Sequence, residues 1–89
     1  MEIFWDVEKN NILKESRGIS FEQVVVSMET DGIVGLFEHP NKSRYPNQII
    51  ILVNINDYIY AVPSVMDNDK IFLKTVYPSR KYTGIYLKK

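Results

Sequence analysis

The stretch Gln48-Ile49-Ile50-Ile51-Leu52-Val53-Asn54-Ile55-Asn56-Asp57-Tyr58-Ile59-Tyr60-Ala61-Val62-Pro63-Ser64-Val65 decides the fold. Two β-rich runs, Gln48 to Ile55 and Tyr58 to Val65, flank Asn56-Asp57, a residue pair that tolerates the positive φ of a primed turn. The reading is a tight antiparallel hairpin. Outward toward the C-terminus, Met66 to Asp69 is a second turn and Ile71 to Tyr77 a further strand, stopped by Pro78. Ser79 is placed to cap a short terminal helix through Arg80 and Lys81, although Thr83-Gly84 weakens its continuation. Outward toward the N-terminus, His39 to Asn47 has two prolines and polar turn formers and is a loop, preceded by a strand from Ile33 to Glu38.

The first third reads differently. Glu2 to Trp5 is a short strand, and Asp6 caps a helix from Val7 to about Ser16 that Arg17-Gly18 ends by a glycine stop. Ser20 with Gln23 makes a capping box, and Ile19 with Val24 a hydrophobic staple, so a second helix starts at Phe21. Val24-Val25-Val26 favours strand by propensity, yet Phe21, Val24, Val25 and Met28 share a helical face, and the cap decides for helix. Asp31-Gly32 ends it. The expected class is α+β: a short strand, two helices, a four-stranded antiparallel meander and a short C-terminal helix, in one domain spanning residues 1–89.

With 89 residues the chain buries about 60% of the surface its unfolded form exposes, enough for one core and too little for two. It has no cysteine and one histidine, which excludes disulfides, thiolate metal sites and an imidazole zinc cluster. The longest apolar run, Ile49 to Val53, is far short of a membrane span, and no signal peptide opens the chain. A cytoplasmic protein without cofactor or membrane partner is expected.

A formal charge of zero hides an asymmetry. Lys70 to Lys89 holds six basic residues and no acidic one, whereas the preceding residues hold five basic and eleven acidic. Lys74, Arg80 and Lys81 alternate there with Phe72, Tyr77, Tyr82 and Tyr86. Phosphates attract such cations and exposed bases stack on such rings, which points to nucleic acid, RNA in particular. The competing reading is a solvated edge strand followed by a lysine-rich tail.

Several short motifs, in order, resemble the BrnT toxins. Phe4-Trp5-Asp6, Lys9 and Arg17-Gly18-Ile19-Ser20-Phe21-Glu22 are similar to that family's opening, and Lys74-Thr75-Val76-Tyr77-Pro78-Ser79-Arg80-Lys81 to its closing strand. A BrnT-like subgroup also carries the equivalents of Glu38-His39-Pro40-Asn41, Tyr45-Pro46-Asn47-Gln48 and Phe72-Leu73-Lys74-Thr75. The resemblance implies the fold of RelE and ParE relatives. It also implies the toxin half of a type II toxin–antitoxin pair, which inhibits translation by cleaving messenger RNA, with or without the ribosome. Its partner would be a cognate antitoxin, a small DNA-binding protein such as one of ribbon-helix-helix type. Two features depart from the pattern. Arg17 stands where the family's first helix ends in histidine before glycine, and the net charge is zero where many ribonuclease toxins are strongly basic. A non-enzymatic binding module of the same fold, blocking a protein target or acting as co-regulator with its antitoxin, is the alternative.

Metal-free RNA cleavage requires a base for the 2′-hydroxyl, cations around the pentacoordinate phosphate and an acid for the 5′-oxygen. Arg80 is the first choice for phosphate, since a guanidinium forks two hydrogen bonds onto two oxygens; its bland role is a surface arginine paired with an acidic helix. Lys74, inside a strand, is expected on the same side as Phe72 and Val76. Partial desolvation would make it an acid or base, and otherwise it is a phosphate contact or a snorkelling surface lysine. His39, held by Pro40, is an acid or base if its loop folds over the basic strand. Lys81, Lys9, Tyr45 and Arg44 are candidate RNA contacts: Lys81 adds to the field, Tyr45 stacks on a base or packs its own loop, and Lys9 otherwise pairs locally with Asp6. Phe4, Trp5 and Phe21 are expected in the core.

Overall fold

The computed structural model describes residues 1–87; Lys88 and Lys89, the end of the basic tail, lie outside the described residues. Elements run β1 (Glu2–Trp5), α1 (Val7–Arg17), α2 (Phe21–Glu29), β2 (Ile33–Glu38), β3 (Gln48–Ile55), β4 (Tyr58–Asp67), β5 (Lys70–Leu73), β6 (Tyr77–Pro78) and α3 (Arg80–Leu87). They form an α+β fold whose sheet has the order β1-β5-β4-β3-β2, with β6 paired to β4. β2 to β5 pair antiparallel in chain order, and β1 joins the edge of β5 in parallel, Ile3 opposite Ile71 and Trp5 opposite Leu73. This small mixed sheet is consistent with RelE/ParE-like topology.

Local chemistry explains the elements. Asn56 and Asp57 sit at φ 52° and 65°, the two left-handed positions of a type I′ turn, and the hairpin closes on Ile55 opposite Tyr58. The Asp6 carboxylate accepts the N–H groups of Glu8 and Lys9, and Gly18 at φ 64° returns its N–H to the Lys14 carbonyl. Both arms of the Ser20–Gln23 capping box are made. Asp6 therefore serves the helix backbone and not Lys9; the ion pairs among the described residues are Met1–Asp69, Lys14–Glu22 and Lys42–Glu38.

Strand alternation sorts the sheet into two faces. On one, Leu13, Ile19, Phe21 and Val24 of the helical layer pack against Ile51, Val53, Val62, Ile71, Leu73 and Val76. Trp5 stacks on Phe21 at 5.8 Å between ring centroids, so both belong to this core, whereas Phe4 points to the other face and is 45% exposed. On that other face α3 lays Tyr82 and Leu87 over Leu52, Ile59 and Ala61.

The C-terminal third departs from expectation in three places. β4 continues to Asp67, and the turn tightens onto Asn68 at φ 55°. The expected strand Ile71–Tyr77 is two pieces: regular pairing ends at Leu73, and Val76 turns into the core, fully buried, away from the side of Lys74 and Phe72. Burial of one more apolar side chain outweighs the ladder pairing given up at Thr75 and Val76. The terminal helix runs past Gly84 to Leu87, because docking Tyr82, Thr83 and Leu87 on the sheet outweighs the roughly 1 kcal/mol that a helical glycine costs.

Candidate functional site

The pairing register places two rows of side chains on the sheet face that α3 leaves uncovered. In one row Phe4 lies opposite Phe72, Phe72 opposite Val65, and Val65 opposite Gln48, whose carbonyl accepts the N–H of His39 at 3.0 Å. In the next, the Lys74 N–H donates to the Pro63 carbonyl at 2.9 Å, Pro63 faces Ile50, and Ile50 faces Phe37. Phe4, Phe72, Ile50 and Phe37 are all exposed. This open apolar and aromatic surface is bounded by α3, where Tyr82 stacks on Phe37 at 5.7 Å and Lys81 holds its ammonium 5.4 Å from the Tyr82 ring centre.

Within it lies a depression of about 120 Å³ lined by Glu38, His39, Pro40, Ile50, Pro63 and Lys74, among others. Pockets for drug-sized ligands hold about 300–1,000 Å³, so the depression suits a single small group better than a whole metabolite. β2 and its following loop supply His39, and the segment after β5 supplies Lys74. They line the depression from opposite sides, with the β3–β4 hairpin between them.

The histidine loop is built around its own contacts. Pro40 follows His39, and the Asn41 N–H donates to His39 Nδ1 at 3.0 Å. The Tyr45 N–H donates to the Asn41 carbonyl and the Arg44 N–H to the Asn41 side chain. Tyr45 lies against the His39 ring at 4.3 Å between centroids, and the Arg44 guanidinium sits 5.5 Å from the Tyr45 ring centre. Glu38 carries Lys42 at 3.0 Å, which neutralises the carboxylate beside the histidine.

Arg80 opens α3 behind the Ser79 cap, whose hydroxyl accepts the Tyr82 N–H at 3.1 Å; it is exposed and does not line the depression. Lys74 is exposed as well, so the partial desolvation considered from sequence is not met. Among the described residues, no ion pair engages Lys74, Arg80 or Lys81. Lys9 sits on α1, in the layer covering the opposite sheet face, and is not brought to this site. Arg17 is committed elsewhere, donating to the Val76 carbonyl at 2.8 Å.

Glu38, Phe37 and Ile50 were not singled out from sequence. Glu38 adjoins His39, and that adjacency was the available signal; Phe37 and Ile50 looked like any core strand residue. The one carboxylate held below the ordinary range, Glu22, lies far from this site; the Asn10 side-chain hydrogen bond is the main cause, its own backbone N–H the next. No group of three or more His, Asp or Glu side chains among the described residues is arranged to hold a metal ion. Against known proteins, neither a family model nor a curated sequence matches this chain.

Proposed function

We propose that this chain is a BrnT-like toxin of a type II toxin–antitoxin pair, a metal-independent endoribonuclease that inhibits translation by cutting messenger RNA. The observation that carries the reading is that Lys74, free of ion pairs among the described residues, and the chain's one histidine line the same small depression on an open aromatic sheet face. Sheet faces bearing exposed rings are platforms for single-stranded bases, and Phe72 and Phe37 flank the depression from either side. By fold analogy alone, the mixed sheet agrees with the RelE/ParE-like topology that the motifs imply.

In this reading the 2′-hydroxyl of a bound ribose loses its proton to solvent water as its oxygen attacks the adjacent phosphorus, and the 5′-oxygen leaves with a proton returned from solvent. The products are a 2′,3′-cyclic phosphate and a 5′-hydroxyl, with no water consumed. Lys74 offsets the charge that builds on the non-bridging oxygens, and Arg80 and Lys81 on α3 hold the flanking backbone. Tyr45 and Arg44 border the histidine side of the path. A cytoplasmic antitoxin of ribbon-helix-helix type would silence the protein by covering this face.

One observation favours the alternative of a non-enzymatic binding module: Arg80 stands outside the depression, and the exposed Phe4, Phe72, Ile50 and Phe37 suit a protein partner too. Expression in cells decides. Growth arrest with new 5′-hydroxyl ends in messenger RNA, abolished by Lys74→Ala and reduced by Arg80→Ala in folded protein, supports the nuclease. Purified protein that leaves RNA uncut with and without ribosomes, yet binds a small neighbouring protein tightly, supports the module.

A further inference from the structure

We infer that His39 works as a fixed hydrogen-bond donor through Nε2, gripping a phosphoryl oxygen together with Lys74, and that it does not shuttle a proton. The inference rests on the ribonuclease reading only for which phosphoryl group is gripped. Its basis is the loop. Nδ1 accepts the Asn41 N–H at 3.0 Å, and a ring nitrogen that accepts a hydrogen bond carries no proton. In the neutral ring the proton is therefore on Nε2, the tautomer being set by the partner of the other nitrogen.

That assignment limits the chemistry. A base must offer a lone pair, and the lone pair of Nδ1 already faces a backbone amide. An acid must be the doubly protonated ring, but a proton on Nδ1 would oppose the Asn41 N–H, donor against donor, and break the contact that holds the ring. What remains is a neutral N–H donor, which needs no proton movement to stabilise charge on oxygen. Tyr45 packs against the ring at a 38° tilt and limits its rotation, so Asn41 and Tyr45 are positioning residues. Lys74 then supplies the charge and His39 the direction.

The test begins with the free protein. Nitrogen-15 NMR at about pH 8, where an ordinary imidazole is neutral, should show His39 with Nε2 protonated and Nδ1 unprotonated. Titration with inorganic phosphate should move the His39 and Lys74 side-chain resonances together, and Lys74→Met should remove the response. In RNA cleavage, His39→Ala should lose about 100-fold, and His39→Gln, whose amide N–H can reach the Nε2 position, should recover most of that loss. A dominant Nδ1-protonated ring, or His39→Gln as damaging as His39→Ala with loss of a pH-rate limb, overturns the inference in favour of proton transfer. Failure to cut any RNA would sink the nuclease reading alone, since the tautomer and phosphate measurements still judge the donor.

Discussion

Arg17 closes α1 onto the segment that carries Lys74: its Nη1 donates to the carbonyl of Val76 at 2.8 Å, across 59 residues of sequence. Lys74 still donates its N–H to the Pro63 carbonyl, but the chain beyond it leaves regular pairing until Tyr77, and there this guanidinium supplies a partner for the Val76 carbonyl. Hydrogen bonds from charged groups contribute about 1.5–3 kcal/mol. Arg17→Ala should destabilise the fold by about 1–2 kcal/mol in urea melts. It should also speed amide exchange at Lys74 and Val76 more than at Ile51, in the hairpin centre.

Asn10 is the polar joint between the two N-terminal helices. It is 4% exposed, its Nδ2 donates to Glu22 Oε1 at 2.7 Å, and its Oδ1 accepts the Phe21 N–H at 2.8 Å. Asn10→Ala leaves the buried Phe21 N–H without a partner and should cost about 1–3 kcal/mol. Because Asn10 is the largest cause of the lowered Glu22 ionisation, the same variant should return the Glu22 carboxyl toward the ordinary range in a carbon-13 titration.

The lowered Glu22 also sets a pH dependence. As pH falls, the unfolded chain takes up this proton before the folded one does. The stabilisation from Glu22 is thus complete above the ordinary glutamate range and fades as pH drops through the folded value beneath it. Thermal melts of the natural protein and of Glu22→Gln should therefore differ at neutral pH and converge below that range. Glu22 is exposed and its Lys14 contact is 3.8 Å, so the gap should also be modest and salt-sensitive.

α3 offers one loss and one gain. Thr83 is buried, its hydroxyl accepting the Ile59 N–H at 2.9 Å and donating to the Ser79 carbonyl at 2.7 Å. Thr83→Val should cost about 1–3 kcal/mol by leaving the buried Ile59 N–H unpaired, while the Ser79 carbonyl keeps the Thr83 N–H, and near-UV circular dichroism should weaken as Tyr82 loosens from Phe37. Gly84 has open space where a Cβ would stand, so Gly84→Ala should stabilise by about 0.5–1 kcal/mol and raise the melting temperature.

Lys74 separates function from folding. It is exposed and forms no ion pair among the described residues, so Lys74→Ala should shift stability by less than about 0.5 kcal/mol. RNA affinity, measured as a function of salt, should fall for every sequence tested, with a shallower salt slope by about one.

Much of this architecture is legible along the chain because it is locally dictated. Asn56-Asp57, Ser20 with Gln23, and Gly18 each demand a backbone conformation of their own, and each element they delimit is where the residues predict it. Elements fixed by distant partners are not legible in this way. Nothing around Val76 tells that it leaves the strand for the core, because its reason is Phe21 and Ile71. Gly84 gives a correct local warning that Leu52, Ile59 and Ala61 override from the far side of α3. The site divides similarly: His39 and Lys74 stand out by residue type, but their meeting depends on the hairpin between them, and the Nδ1 partner of His39 depends on the path of its loop.

The parallel pairing of β1 with β5 has a consequence for biosynthesis. Glu2 to Trp5 is translated well before its docking edge, Lys70 to Leu73. A nascent chain cannot seat Trp5 against Leu73, or hold Lys74 in its place, until the β5 segment has emerged. Products terminated before β5 would therefore emerge with a raw sheet margin and no assembled site, ready prey for proteases.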